Sequence, residues 1–288
     1  MNNLDLRPLS VGEILDRTFT LYRNYFILFI GISAIPHVFV LAVSLAQTFT
    51  LYPSGVPMPG TSRSPVPQFP SGQGMALYFG LAFLGVIVSF ATLLLSQGAT
   101  VTAVSELYLG RTITIKESFQ RVLGDLGTLF GVLVLNGLAV LAGLLFLIIP
   151  GIFVMCRLLV SVPAALLEQR NSVDALSRSW ELTKDSAGRA FLIVILYFSL
   201  SMAAAALFAF PFEMLMILEK NNPAMIVVFL GLTQVGAFVA NVLVTPVMTI
   251  ASSILYYDLR VRKEAFDLQV MMAPLAGPVT GGVPRALT

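Results

Sequence analysis

Apolar residues run along this chain in six long blocks separated by short polar segments. The blocks show neither the strict alternation of a half-buried strand nor the narrow stripe of a water-soluble helix. A hydrocarbon layer about 30 Å thick demands about 20 such residues of a helix. The blocks predict spans at Tyr25 to Ala46, Met75 to Gln97, Thr128 to Leu147, Ile152 to Leu167, Ala190 to Leu215 and Met225 to Ser253. The last is expected to continue as helix to about Lys263. Ile149-Pro150-Gly151 predicts a tight turn between the third and fourth spans, hence an antiparallel hairpin. The expected fold class is all-α, a polytopic integral membrane protein with a six-helix membrane domain over 1–268. The tail over 269–288, with Pro274, Gly277, Gly281 and Pro284, has no periodicity and is expected to be disordered and cytoplasmic.

The polar segments ahead of the odd-numbered blocks repeat one pattern without gaps. Ser10, Thr114 and Asn171 are helix N-cap residues, and Glu13, Glu117 and Asp174 follow at capping-box spacing. Leu15 and Phe19, Phe119 and Leu123, Leu176 and Trp180 stand five and nine residues after each cap, on one helix face. Arg17, Arg121 and Arg178 fall seven after it, on the opposite face. The expected unit is a short amphipathic surface helix followed by two spans, used three times over about 8–97, 111–167 and 170–257. All three run in the same sense, which suggests pseudo-threefold packing about the membrane normal.

Composition fits this pattern: 57% of the 288 residues are hydrophobic and 11% charged, with a mean hydropathy of +0.88. A soluble domain carries about 25% charged residues. Fourteen of the 17 lysines and arginines fall on one side of the spans, against Arg63 and Lys220 on the other and Arg157 within a span. That bias places the first side, with both termini, in the cytoplasm. The loop from Gln47 to Gly74, rich in Pro, Gly and Ser, is then external and expected to be mobile. Ser44-Leu45-Ala46 resembles a signal-peptidase site, but the segment before the first block is mixed in charge and recurs later, so retention is expected. The net charge of +2 gives no reason to expect a nucleic-acid partner. One cysteine, Cys156, rules out an internal disulfide and any multi-cysteine metal site, and one histidine, His37, leaves little room for a histidine-based metal site or a histidine triad.

Few residues suggest chemistry. Arg157 stands about five residues into the fourth span, roughly 8 Å deep from the external side. A charge there needs a partner or a wet cavity. Glu213, near the external end of the fifth span, predicts an Arg157–Glu213 ion pair; the alternative is an interfacial Glu213 with Arg157 snorkelling outward. His37, Asn136, Gln234 and Asn241 are polar at membrane depth. They suit interhelical hydrogen bonds, each worth about 0.6 kcal/mol, or a polar pathway. Arg17, Arg121 and Arg178 suit either intrahelical pairs with the acid four residues before or contacts with anionic lipid headgroups. No phosphate-cradling loop, metal-ligand cluster or nucleophile–base constellation is visible, so no cofactor is expected. Asp258 beside Arg260 and Arg262 reads as a stop-transfer charge cluster, and Glu106, Glu168 and Asp258 form no catalytic pattern in sequence.

Four stretches carry a family resemblance. They are Leu6-Arg7-Pro8-Leu9-Ser10-Val11-Gly12-Glu13-Ile14-Leu15-Asp16, Pro150-Gly151, Ser179-Trp180-Glu181-Leu182-Thr183 and Tyr256-Tyr257-Asp258-Leu259-Arg260-Val261-Arg262-Lys263-Glu264. Together they resemble a bacterial family named after the membrane domain of glycerophosphoryl diester phosphodiesterase. In its named members a soluble domain holds the metal and the acid/base residues, and the resemblance here implies the membrane part without it. The expected function is therefore non-catalytic: a lipid-interacting scaffold or accessory module of the bacterial cytoplasmic (inner) membrane. Its expected partners are membrane phospholipids and a separate membrane or envelope protein. A small transporter or channel built on Arg157, His37 and the intramembrane prolines is the alternative.

Overall fold

The computed structural model describes residues 8–51, 73–219 and 223–264, and every regular element among them is helical. The elements are α1 (Val11–Asn24), α2 (Phe26–Leu51), α3 (Gln73–Tyr108), α4 (Ile115–Leu123), α5 (Leu126–Phe146) and α6 (Ile148–Arg157). There follow α7 (Ser161–Leu167), α8 (Ser172–Leu182), α9 (Ala187–Phe208), α10 (Phe210–Leu218) and α11 (Pro223–Glu264). Six segments are long and apolar enough to cross a bilayer: Phe26–Thr50, Met75–Tyr108, Leu126–Phe146, Ile148–Leu167, Ala187–Phe208 and Met225–Glu264. The chain thus has the make-up of a multi-pass membrane protein. The expected tail lies outside the described residues, as does most of the expected external loop.

Several boundaries move, each for a local reason. Helix α3 runs eleven residues past the expected Gln97, because Ala99, Val101, Ala103 and Val104 are buried by neighbouring helices. The fourth span is two helices, interrupted at Leu158–Val160. The fifth also divides, at Ala209, with Pro211 in the first turn of α10, where a missing N–H costs no intrahelical bond. The expected Ile149-Pro150-Gly151 turn is instead a single extended residue, Leu147, and Pro150 lies within the first turn of α6. The hairpin closes tightly: a methyl placed on Gly143 would stand 2.9 Å from the Cα of Gly151. Two glycines let the backbones of α5 and α6 meet there.

The short helices α1, α4 and α8 lie at one end of the bundle, called here the charged end. Each carries the cap expected of it: Ser10 and Thr114 form reciprocal capping boxes with Glu13 and Glu117, and Asn171 Oδ1 accepts from the Asp174 amide at 2.9 Å. The face each turns to the protein is centred on the fourth and eighth positions after the cap, with the fifth, Leu15, Phe119 and Leu176, packed partly against the core. Positions four and eight are completely buried in all three: Ile14 and Thr18, Ser118 and Val122, Ala175 and Ser179. The ninth position points outward, with Phe19 42%, Leu123 57% and Trp180 41% exposed.

The packing follows the order of the chain. The pairs α2–α3, α5–α6 and α9–α11 are antiparallel neighbours, while α3, α7 and α11 touch one another. Helix α4 lies on α3 and α2, α8 on α7 and α5, and α1 on α11, with lesser contacts to α9 and α2. The core sits in the half nearest the charged end, around Phe29, Ile32, Leu129, Ile193, Ile250, Leu255 and Tyr256. Toward the opposite end the spans expose apolar side chains such as Phe79, Phe83, Val86, Met202 and Leu207. Such surface is stable where acyl chains replace water.

Candidate functional site

Three acids, Glu106 and Asp258 buried and Glu168 partly so, organise the charged end, and each belongs to the last turns of a second span or its cap. Glu106 of α3 accepts from Arg121 of α4 at 2.5 Å and faces Arg111 at 3.6 Å. Glu168, the C-cap of α7, accepts from Arg170 at 2.6 Å, from Arg178 of α8 at 3.1 Å and from the Tyr256 hydroxyl at 2.9 Å. Asp258 of α11 accepts from the Leu9 amide at 2.6 Å, from Arg189 at 2.8 Å and from Arg262 at 2.9 Å. Arg178 also pairs with Glu264 and Glu181, and Arg262 donates to the Leu9 carbonyl at 2.6 Å. Burial raises the Glu168 carboxyl, but the bonds from Arg170, Tyr256 and Arg178 outweigh it and hold it below the ordinary carboxylate range. The Thr114 amide and hydroxyl hold Glu117 low in the same way, and burial pushes the Tyr22 phenol up to about 12. Tyr22 therefore remains a donor, to the Leu243 carbonyl at 2.9 Å.

The repeated arginines are engaged in different ways. Arg178 is largely buried and meets Glu168, Glu181 and Glu264, not Asp174. Arg121 keeps about half its side chain in the open while bonded to Glu106. Arg17 donates to the Tyr108 hydroxyl at 3.1 Å, and Tyr108 stacks on Tyr257 at 4.9 Å.

The intramembrane polar residues do not converge on one site. His37 bonds the Ser33 carbonyl of its own helix at 2.7 Å, and Asn241 the Ala237 carbonyl of its own at 2.9 Å. Asn136 reaches across to the Ser161 hydroxyl at 3.2 Å, an interhelical bond. The expected Arg157–Glu213 ion pair is not formed: Glu213 is exposed on α10, while Arg157 is buried against α8. The cause is the break after α6. There the Ser161 amide turns to the Leu158 carbonyl, and the Arg157 carbonyl accepts from Ser179 and Thr183 of α8, both at 2.9 Å. The guanidinium then lies over Trp180, 4.5 Å from the ring centre, and 5.8 Å from that of Phe153. Gly131 lies beneath Ser172 of α8, which lets that helix sit close on α5.

In the sequence, Glu106, Glu168 and Asp258 form no catalytic pattern. The available signal was an acid near the end of every second span with an arginine two to five residues on: Arg111, Arg170 and Arg260. Among the described residues no group of three or more His, Cys, Asp or Glu side chains is placed to hold a metal ion. Comparison with protein-family models, with curated proteins and with solved structures returns no match.

Proposed function

We propose that this chain is a non-catalytic membrane protein, a lipid-interacting scaffold or accessory module of the cytoplasmic membrane, with its charged end inside. The observation that carries the reading is the outward row of Phe19, Leu123 and Trp180, exposed at the same position of three capped surface helices. Large apolar groups at a helix's outer edge, beside basic residues such as Arg23, Lys116 and Lys184, suit the boundary between headgroups and acyl chains. The acids and arginines of the charged end satisfy one another, which suits a rigid scaffold better than a reacting centre. The resemblance to the membrane domain of the phosphodiesterase family fits an accessory role beside a separate enzyme or envelope protein.

The finer architecture belongs to the same reading: three repeats closing in a ring. Each surface helix rests on the two spans of the unit before it, α4 on the first unit and α8 on the second. Helix α1 rests on the third unit, chiefly on α11. The acids follow the same order, with Glu106 meeting α4, Glu168 meeting α8 and Asp258 meeting the residue before the cap of α1. Native mass spectrometry in mild detergent tests the lipid reading. The parent is expected to retain phospholipid that a Phe19→Gln, Leu123→Gln, Trp180→Gln variant loses; equal retention by both would count against it.

One observation favours the transporter reading. Ser33, Ser96 and Thr100 bury hydroxyls with no partner where α2 and α3 pack, and an open, mostly apolar groove of about 560 Å³, lined by Val40, Val43, Leu93, Ser44, Gln47 and Ser89 among others, lies further along the same helix pair. Labelling of Ser96→Cys by a water-soluble maleimide, in a Cys156→Ser background, would mark a wet pathway. A scaffold leaves that position unlabelled.

A further inference from the structure

Arg157 is buried, with 4% of its surface exposed, and its Nε is sealed from solvent without a hydrogen-bond partner. Among the described residues no carboxylate pairs with it. Asp185, whose charge acts on it, is itself paired with Lys263 at 3.2 Å. A desolvated guanidinium without an anion is among the costliest groups a membrane-spanning helix can hold. Trp180 and Phe153, packed edge to face, stand against it, and this cation–π contact offsets part of that cost. The rings offer no hydrogen-bond acceptor, so N–H donors of the guanidinium remain for a planar or tetrahedral oxyanion.

We propose that Arg157 and Trp180 form a binding site for a phosphate oxyanion, supplied by the headgroup of an anionic phospholipid. The proposal rests on the lipid-facing reading of α8 and adds to it a specific anchoring residue. Its shape argues for lipid. Ile149, Phe153 and Arg157 stand at four-residue spacing on one face of α6. Their exposure falls from 81% through 50% to 4% along the helix. An apolar track that ends at a buried cation matches an acyl chain leading to its phosphate. The anchoring of the arginine is independent of any ligand, since Ser179 and Thr183 hold its carbonyl at the helix break. The backbone that carries the guanidinium is therefore fixed before the lipid arrives.

Trp180 is the chain's single tryptophan, so its fluorescence reports on this site. The full chain is reconstituted in phosphatidylcholine vesicles containing phosphatidylglycerol, with bromine on the acyl chains of one lipid or the other. Brominated phosphatidylglycerol is expected to reach half-maximal quenching at about a fivefold lower fraction, the preference that one cation near an anionic surface supplies. Arg157→Gln should bring that ratio to one, and Arg157→Lys should keep part of it. If Arg157→Gln fails to reconstitute, the ratio in the parent and in Arg157→Lys still decides. Full quenching by both lipids with a ratio of one in the parent overturns the site while leaving α8 lipid-facing. Absence of quenching by either overturns the lipid-facing reading as well. Relief of the phosphatidylglycerol quenching by excess inorganic phosphate would support the oxyanion site and assign it to a soluble anion.

Discussion

A single buried carboxylate can join three parts of a chain when each supplies a donor. Asp258 does so, holding the Leu9 amide ahead of α1, Arg189 at the start of α9 and Arg262 on its own helix. Removing it leaves an orphaned amide and two arginines. Because both arginines keep some contact with water, the expected loss for Asp258→Ala is about 3 kcal/mol, the lower end for a broken buried pair. Thermal unfolding in detergent measures it, and a melting temperature equal to the parent's would contradict the account. Glu168 gives the pH dependence. Its folded carboxyl titrates below its unfolded one, so its stabilisation is present above the ordinary carboxylate range near 4.5 and is lost as the pH falls through the lower folded value. Stability should fall on acidification, and Glu168→Gln should flatten that acid limb; an unchanged limb would show that other groups carry it. At this scale the sequence reveals which residues are charged but not which meet. The distances between Glu168 and Arg178 or Asp258 and Leu9 are set by tertiary packing. Arg157 and Glu213 were matched on depth alone, whereas a break in the helix turns Arg157 to α8.

Helices were the most legible level, because their signals are local. The cap residues and their acids stand three apart, and the reciprocal bonds form in both places where Glu follows the hydroxyl. Ser10→Ala, Thr114→Ala and Asn171→Ala should each cost about 1 kcal/mol. Hydrogen exchange should show that loss in the first turn of the helix concerned, and uniform protection in all three variants would refute it. Breaks within spans were less legible. Pro150 and Pro211 mark the regions, but a proline in a first turn is compatible with helix, so the extended residue falls at Leu147 and the break at Ala209. The outward direction of Phe19, Leu123 and Trp180 was also hidden, since apolar residues on both sides of a surface helix look alike until one side is covered. Gly143→Ala tests the α5–α6 closure. Its methyl has no space beside Gly151, and the expected cost is about 1–3 kcal/mol, read as a lower melting temperature. A neutral result would mean that the hairpin opens without penalty.

Across the whole molecule, the contacts describe a bundle tight at its charged end and apolar on the outside at the other. Membrane character was legible because a bilayer imposes length and composition directly on the sequence. The proposed relation between units was legible only as a recurring pattern, since the contact of α1 with α11 joins segments almost the full length of the chain apart. The central claim is that α1, α4 and α8 are equivalent, lipid-facing helices on one membrane surface. Spin labels at Phe19→Cys, Leu123→Cys and Trp180→Cys, each in a Cys156→Ser background, test it most directly in reconstituted vesicles. The account predicts one shared depth at the boundary of headgroups and acyl chains, with collisions favouring oxygen over a water-soluble nickel chelate at all three positions. A position that instead favours the chelate, or three clearly different depths, would contradict it.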